Sequence, residues 1–148
     1  MPPTSIRPAE PRDVAAITRI YDHAVRHGTA SFELAPPDEA EMARRQNELF
    51  SGGFSYIVAE QATAVVGYAY AGPYRARPAY RWTVEDSIYV DPALHGRGIG
   101  RALLERLIAE AERSGFRQML AVIGDSANAG SIELHRALDK SSFSVVAG

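Results

Sequence analysis

The feature that most constrains the fold of this chain is a glycine-rich turn between an apolar strand and an amphipathic helix. Residues 90–104 read Val-Asp-Pro-Ala-Leu-His-Gly-Arg-Gly-Ile-Gly-Arg-Ala-Leu-Leu, with glycines at positions 96, 98 and 100. Glycines let the backbone approach an anion closely, and the first N–H groups of a helix point toward that anion with the positive end of the helix dipole. The turn therefore predicts either a phosphate site at a helix start or a simple tight connection.

Length and composition predict one globular domain over residues 1–148. The chain is 46% hydrophobic and 23% charged, which is typical of a soluble protein with a substantial core. Its net charge of −2 gives no electrostatic footprint for nucleic acid. The N-terminal residues lack the apolar run of a signal peptide, and no segment approaches the apolar length of a membrane span. We therefore expect a cytoplasmic protein that binds neither membrane nor nucleic acid.

The content of cysteine and histidine argues against several kinds of site. The chain has no cysteine, which excludes disulfides, thiolate metal sites and a cysteine nucleophile. Its four histidines are at positions 23, 27, 95 and 135, and none shows the HExxH spacing of a zinc site. We therefore expect no metal.

Hydrophobic periodicity predicts alternating strands and helices. The expected strands are residues 5–7, 56–60, 64–70, 82–90, 118–123 and 143–146, with Gly72-Pro73 breaking the third. The expected helices begin at Pro11, at a capping box of Asp38 and Glu41, at the glycine turn and at Asn128, and Gly115 fits the position just after the third helix. This order predicts an α/β fold with a mixed sheet.

Two common phosphate-binding motifs do not fit the glycine turn. A P-loop requires a lysine directly after its last glycine, and none follows here. The dinucleotide fingerprint requires a third glycine where Leu103 stands, and it opens a domain rather than appearing late in the chain. The turn therefore belongs to neither class.

The stretch His95-Gly96-Arg97-Gly98-Ile99-Gly100 instead resembles the Gln/Arg-x-x-Gly-x-Gly/Ala motif of the GNAT family of N-acetyltransferases. The match holds from Gly98 onward, and His95 stands where the family usually has Gln or Arg. Segments 69–77, 82–90, 121–124 and 134–138 resemble the phosphinothricin and methionine sulfoximine acetyltransferase branch. The resemblance implies a GNAT-like fold, acetyl-CoA as cosubstrate, and acetylation of the amino group of a small amino-acid-like acceptor.

Glu85 is the first candidate for acid–base chemistry, because acetyl transfer to an amine requires a group that takes the amine proton. It lies in an otherwise apolar strand, where a carboxylate is costly unless it faces a cleft or a partner. Burial would raise its pKa toward a useful range. The resemblance places the branch's catalytic glutamate at this position, and the alternative is a strand residue that faces solvent or pairs with an arginine.

His135 is the second candidate. It follows Asn128 by seven residues, a spacing at which many GNAT enzymes place a tyrosine acid, and the branch carries a histidine there. A histidine could protonate the departing thiolate or take the amine proton, so the sequence leaves open which of Glu85 and His135 is the principal base. The alternative is a surface histidine on a helix. Asn128 could bind the pantetheine arm of the cofactor or cap its own helix.

The resemblance also implies where acetyl-CoA binds. Backbone amides at the end of the strand before the turn would bind the acetyl and pantetheine groups, and those residues are Ile88, Tyr89 and Val90. The turn and the helix start would bind the pyrophosphate, and those residues are His95, Gly96, Arg97, Gly98, Ile99, Gly100 and Arg101.

The candidate acceptor site is the basic loop before Trp82. Guanidinium groups bind carboxylates in bidentate fashion, and a small amino acid needs such an anchor. The residues assigned to acceptor binding are Tyr74, Arg75, Arg77 and Phe32. The alternatives are a solvated basic loop and, for Phe32, an ordinary core aromatic.

The C-terminal segment departs from the branch pattern. Relatives usually have Leu-Gly-Phe where Leu138 is followed here by Asp-Lys-Ser-Ser-Phe, and the chain stops at Gly148. We therefore expect C-terminal strands that are shortened or altered, and a sheet edge that is exposed or covered by a partner. The family commonly forms dimers, which implies a homodimer.

Two other functions fit the same residues. One is a GNAT enzyme for another amine, such as a polyamine, an aminoglycoside or a protein N-terminus, which an acidic acceptor cleft would favour. The other is a non-catalytic module that binds acyl-CoA.

Overall fold

A computed structural model describes residues 3–27, 33–73, 82–94, 96–121, 129–139 and 143–147. Within these ranges six strands form one sheet in chain order: β1 (Thr4–Pro8), β2 (Tyr56–Gln61), β3 (Ala64–Pro73), β4 (Thr83–Val90), β5 (Gln118–Ala121) and β6 (Ser144–Ala147). The helices are α1 (Val14–Arg26), α2 (Glu39–Ser51), α3 (Ile99–Arg113) and α4 (Ala129–Ala137). The predicted α/β fold with a mixed sheet is confirmed.

The sheet is mixed because its two halves are connected differently. Strands β1 to β4 pair antiparallel with their neighbours, whereas β5 lies parallel to both β4 and β6. Parallel neighbours need a crossover connection, and α3 and α4 provide the helices of these two crossovers. The strand predicted at 143–146 is therefore present as β6, which forms the last strand of the described sheet.

Helices cover both faces of the sheet. On the α3 face, α3 packs with Val84 of β4, Met119 of β5 and Val145 of β6, and α4 adds Leu134 and Leu138. On the opposite face, α1 and α2 pack on a group of tyrosines; we call this the tyrosine face, after Tyr21, Tyr56, Tyr68, Tyr70 and Tyr89. Because side chains alternate along a strand, adjacent residues of β4 belong to different faces.

Helix α3 approaches the sheet most closely at Gly67 of β3. A Cβ atom at this position would lie 3.1 Å from the carbonyl oxygen of Tyr89 and 3.2 Å from Cδ1 of Leu103. Leu103, Leu104 and Leu107 are fully buried along the same helix. A side chain at position 67 would push α3 away from the sheet, so glycine there fixes how deeply the helix packs.

Several local predictions are confirmed at helix ends. Gly115 has a φ of +92° and follows α3, where its N–H donates to Glu112 and the N–H of Phe116 donates to Ala111, the two bonds of a Schellman ending. At the start of α2, the Asp38 carboxylate accepts from the backbone N–H of Glu41 at 2.9 Å.

Two local predictions are wrong. The Glu41 side chain does not return to Asp38, because it forms ion pairs with Arg44 and Arg45 one turn along the helix. Gly72-Pro73 does not break β3, because these residues continue the ladder opposite Glu85 and Val84. A proline at the end of a strand loses one N–H but keeps an extended backbone, so the pairing persists to Pro73.

A buried ion pair joins β1 to the turn that precedes α1. The Arg7 guanidinium donates to both carboxylate oxygens of Asp13 at 2.9 Å and to Glu60 of β2 at 2.9 Å. Asp13 also accepts from the backbone N–H of Glu10. Burial by itself would raise the pKa of Asp13, but the bonds from Arg7 and from Glu10 outweigh it and lower that pKa.

We predict that Asp13→Asn lowers the free energy of unfolding by about 3 kcal/mol at neutral pH, because it leaves a half-buried guanidinium without its main partner. Since the native pKa of Asp13 lies below its unfolded value, this contribution is present at neutral pH and is lost as pH falls through the acidic range. Urea unfolding at pH 7 and pH 3 measures both effects. Asp22→Asn, which breaks the exposed pair with Arg26, is the control and should cost under about 1 kcal/mol.

Candidate active site at the end of β4

The glycine turn forms an open, positively polarised helix start. Gly96 and Gly98 have φ values of +78° and +81°, and Gly98 is the N-cap of α3 without a side-chain cap. The N–H groups in the first turn of an α-helix have no acceptor within that helix. A Cβ at either glycine would meet no atom within 4 Å, so the space beside the turn is open. These glycines are therefore required by the left-handed backbone, and the uncapped N–H groups fit an anionic group such as a pyrophosphate.

Strand β4 is longer than its described pairing with β5. The parallel register joins Thr83–Asp86 to Gln118–Ala121, whereas β4 continues to Val90. The chain after Ala121 lies outside the described residues until Ala129. Within the described residues, the pairing is recorded as far as Asp86 with Ala121.

The backbone groups of Ile88, Tyr89 and Val90, which were predicted to bind the cosubstrate, point in two directions. The N–H of Asp91 donates to the carbonyl of Val66 at 2.9 Å, so odd-numbered residues at this end of β4 direct their backbone groups toward β3. Tyr89 is among them. Ile88 and Val90 direct theirs away from β3, toward the side of the sheet where β5 lies. Of the three residues, Ile88 and Val90 are therefore the ones whose backbone groups face the β5 side of the sheet.

Glu85 lies on the tyrosine face of β4 and is half-buried. Burial raises the pKa of its carboxyl group, and the neighbouring charge of Asp86 raises it further. Burial also raises the pKa of Tyr70, to which the charge of Glu85 adds, so both side chains share this face. The Glu85 carboxylate makes no hydrogen bond or ion pair with the residues that the structure describes. Within the described part of the chain, this carboxylate therefore has no structural partner.

His135 is not a surface histidine, which corrects one of the two sequence alternatives. Its side chain is 1% exposed, and its Nε2 lies 2.9 and 3.0 Å from the two carboxylate oxygens of Asp86. Asp86 is buried as well, and burial raises its pKa while the contact with His135 opposes that rise. Helix α4 carries His135 onto the α3 face, where Asp86 points.

The structure does not bring Glu85 and His135 together. They lie on opposite faces of the sheet, because Glu85 and the Asp86 that holds His135 are consecutive residues of one strand. Sequence analysis missed Asp86. The available signal was its place in the strand, because it shares the alternation of Val84 and Ile88 and therefore faces the same core as they do.

Aromatic rings pack against one another on the tyrosine face beside Glu85. Tyr89 stacks on Tyr68 and meets Tyr21 edge-on, with ring centroids 5.1 Å apart in both pairs. Ser87 lies opposite Tyr70 in the register of β3 and β4. Sequence analysis did not single out Tyr70 or Ser87, because their proximity to Glu85 depends on how β3 and β4 pair.

The other predicted site residues divide into two groups. Arg97 is exposed beside the turn, and Arg101 forms an exposed ion pair with Glu105 at 2.9 Å. The rest lie outside the described residues, and they are His95, Asn128, Phe32, Tyr74, Arg75 and Arg77. Among the described side chains, no group of three or more His, Cys, Asp or Glu could hold a metal ion. None of the helices described above has the length and apolar character needed to cross a bilayer.

Comparison with known proteins identifies the family. The Acetyltransferase (GNAT) family profile matches residues 16–139. The chain is 49% identical over 133 residues to the phosphinothricin N-acetyltransferase of Alcaligenes faecalis, which covers 90% of this chain and 68% of that protein. It is 43% identical over 134 residues to the L-methionine sulfoximine/L-methionine sulfone acetyltransferase of Salmonella typhimurium, which covers 90% of this chain and 78% of that protein.

A solved structure agrees with this relationship. The fold is similar to the crystal structure of a GNAT superfamily phosphinothricin acetyltransferase from Sinorhizobium meliloti in complex with acetyl-CoA, with a TM-score of 0.87 and 49% identity. The match covers 91% of this chain and 73% of that one. The glycine-capped helix after β4 and the agreement in sequence and fold lead to one conclusion: this chain belongs to the GNAT family of acetyltransferases.

Proposed function

We propose that this protein is an acetyl-CoA-dependent N-acetyltransferase that acetylates the amino group of a small amino-acid-like acceptor of the phosphinothricin, methionine sulfoximine or methionine sulfone type. The observation that carries the proposal is the half-buried Glu85 carboxylate, which has no partner among the described residues and lies in the strand that leads into the glycine-capped start of α3. The acceptor class is supported by the names of the relatives at 49% and 43% identity.

Different residues around β4 would bind different parts of the cosubstrate. When bound, acetyl-CoA supplies an acetyl group activated as a thioester. The turn formed by residues 95–101 would hold its pyrophosphate through backbone N–H groups and the positive end of α3. The N–H groups of Ile88 and Val90 would hydrogen-bond the acetyl and pantetheine groups, and an N–H aimed at the carbonyl oxygen would stabilise the charge that develops there. Asn128 is proposed to bind the pantetheine arm.

Glu85 is proposed as the principal base, which resolves the choice that the sequence left open. A general base must be accessible to the amine and have a pKa raised toward the working pH, and Glu85 meets both conditions. His135 is buried and bonded to Asp86 on the other face, so it is poorly placed to take a proton from an amine beside Glu85. We assign His135 instead to the departing thiolate, which accepts a proton as the acetyl group leaves.

The acceptor is proposed to lie on the tyrosine face, where Glu85 is. Tyr70 and Ser87 are described neighbours of Glu85 on this face and add a ring and a hydroxyl group to the candidate pocket. The carboxylate of the acceptor would be held by Arg75 and Arg77, with Tyr74 and Phe32 completing the pocket.

The proposal also covers the domain organisation, the cellular location and the oligomeric state of the protein. Residues 1–148 are taken as one acetyltransferase domain, consistent with the single sheet of the described strands. We propose a cytoplasmic homodimer, since acetyl-CoA is a cytoplasmic metabolite and cysteine is absent from the chain. Light scattering of the purified protein measures the oligomeric state, and a monomer at all concentrations would contradict the dimer.

We predict turnover of acetyl-CoA with phosphinothricin, methionine sulfoximine or methionine sulfone, measured as thiol release. Glu85→Gln should lower kcat/KM by about 100- to 10,000-fold, because a general base contributes about that much. Since burial raises the pKa of Glu85, the acid limb of the pH profile should lie above the ordinary range of a glutamate, and the variant should lose that limb. Glu110→Gln, which replaces a half-buried carboxylate of α3 that is paired with Arg106, is the matched control. Unchanged kcat/KM in Glu85→Gln would exclude Glu85 as the base.

We predict that Gly98→Ala weakens the binding of acetyl-CoA. Alanine at a φ of +81° costs about 1–2 kcal/mol, and the turn relieves this strain by moving the N–H groups of the helix start. The KM for acetyl-CoA should rise at least about tenfold. Gly115→Ala carries the same kind of strain at the other end of α3, with a φ of +92°, and should lower stability while leaving this KM unchanged. Equal KM values in the two variants would contradict a role for the turn in binding.

A further inference from the structure

The buried contact between Asp86 and His135 has a chemical consequence beyond holding α4 on the sheet. We propose that Asp86 is a positioning residue: its carboxylate fixes the orientation and the tautomer of His135, so that His135 exchanges its catalytic proton at Nδ1. The inference rests on the proposed function for the role of His135 in catalysis. The tautomer itself is independent of that function.

The geometry of the contact determines the tautomer. Nε2 of His135 lies 2.9 and 3.0 Å from the two oxygens of Asp86, so this nitrogen is within hydrogen-bond distance of both carboxylate oxygens. An ionised carboxylate only accepts hydrogen bonds. Nε2 must therefore carry a hydrogen, and in the neutral ring Nδ1 is the basic nitrogen. An imidazolium that gives up a proton at Nδ1 becomes a neutral ring that still holds its hydrogen on Nε2, so the bond to Asp86 persists through the transfer.

Packing alone does not explain this pair. The two side chains are 3% and 1% exposed, and they lie on the face that α3 and α4 cover with leucines. Replacing a buried ionic pair by apolar residues of similar size is often neutral or stabilising, because the cost of desolvating the charges is avoided. A buried carboxylate bonded to a histidine is in contrast the usual way in which proteins fix the tautomer of a ring that transfers protons.

The position of the pair relative to the proposed reaction is the second argument. Asp86 precedes Ile88 by two residues on β4, and the N–H of Ile88 points away from β3, toward the side of the sheet where β5 lies. The acetyl group is proposed to lie there. Glu85 faces the opposite side of the sheet, toward the tyrosines. The sheet thus separates a base that faces the amine from a histidine that serves the thiolate.

Few titratable groups surround His135 in the described part of the structure. On β4 the facing group is Asp86, while Glu85 points to the other face. The described residues of α3, β5 and β6 that line the α3 face are apolar, among them Leu103, Met119 and Val145. On α4 itself, Glu133 and Arg136 are exposed, and Asp139 accepts from the backbone N–H of Val145. Among these described groups, Asp86 is the charged group in direct contact with the His135 ring.

Nitrogen-15 NMR of the histidine-labelled protein tests the tautomer without any substrate. We expect the wild-type His135 ring to carry hydrogen on Nε2 at pH above its titration midpoint, and the midpoint to fall by about one unit or more in Asp86→Asn, which removes the facing negative charge. The Asp13→Asn variant, which removes a buried carboxylate elsewhere, should leave the His135 signals unchanged. Hydrogen on Nδ1 in the neutral wild-type ring would overturn the inference, and so would an unchanged midpoint in Asp86→Asn.

Kinetics test the role in the reaction. Asp86→Asn should lower kcat at least about tenfold with the acceptor KM unchanged, and it should move the alkaline limb of kcat to lower pH, because that limb reports the acid form of His135. If the contact were purely structural, Asp86→Asn would lower stability without moving the alkaline limb of kcat. That result would overturn the proposed role of Asp86 in catalysis. If the wild-type protein acetylates no amine, the proposed function fails, whereas the NMR measurement still decides the tautomer. If Asp86→Asn does not fold, the wild-type tautomer remains decisive.

Discussion

The close approach of α3 to the sheet at Gly67 is the constraint on which the rest of the site depends. Because no side chain separates the helix from the carbonyl of Tyr89, three fully buried leucines of α3 can pack down on β2, β3 and β4. That packing places the start of α3 beside the end of β4, where Gly98 turns the chain directly into the helix. A helix held further from the sheet would aim its uncapped N–H groups away from the end of the strand. The proposed anion and acyl sites can share one strand end only because the helix lies this close to the sheet.

The pleat of β4 is the second constraint, because it directs the consecutive acidic residues Glu85 and Asp86 to opposite faces of the sheet. Glu85 lies on the tyrosine face, and burial together with the neighbouring charge of Asp86 raises the pKa of its carboxyl group. Asp86 faces the α3 side and bonds the ring of His135. Burial raises the pKa of both carboxyl groups, and the hydrogen bond from His135 opposes the rise at Asp86. Among the described residues, a difference of one position along the strand therefore separates a carboxylate without a hydrogen-bond partner from one that is bonded to a histidine.

Features set by local geometry could be predicted from the sequence. The glycine turn, the Schellman ending at Gly115 and the cap at Asp38 each depend on backbone bonds within a few residues. Predictions that depended on competing partners were less successful. Glu41 pairs with arginines one turn later instead of closing the capping box, and Pro73 stays in the ladder because β4 offers a partner strand.

The sequence by itself determined the order of the elements, the glycine turn at the start of α3 and Glu85 as a candidate base, because each rests on local periodicity, a short motif or a family pattern. The tertiary structure alone decided that Glu85 and His135 lie on opposite faces, that Asp86 holds His135, and that Ile88 rather than Tyr89 directs its N–H away from β3. These facts depend on the strand register and on where α4 packs. Contacts between residues as distant as Asp86 and His135 leave no trace in local spacing.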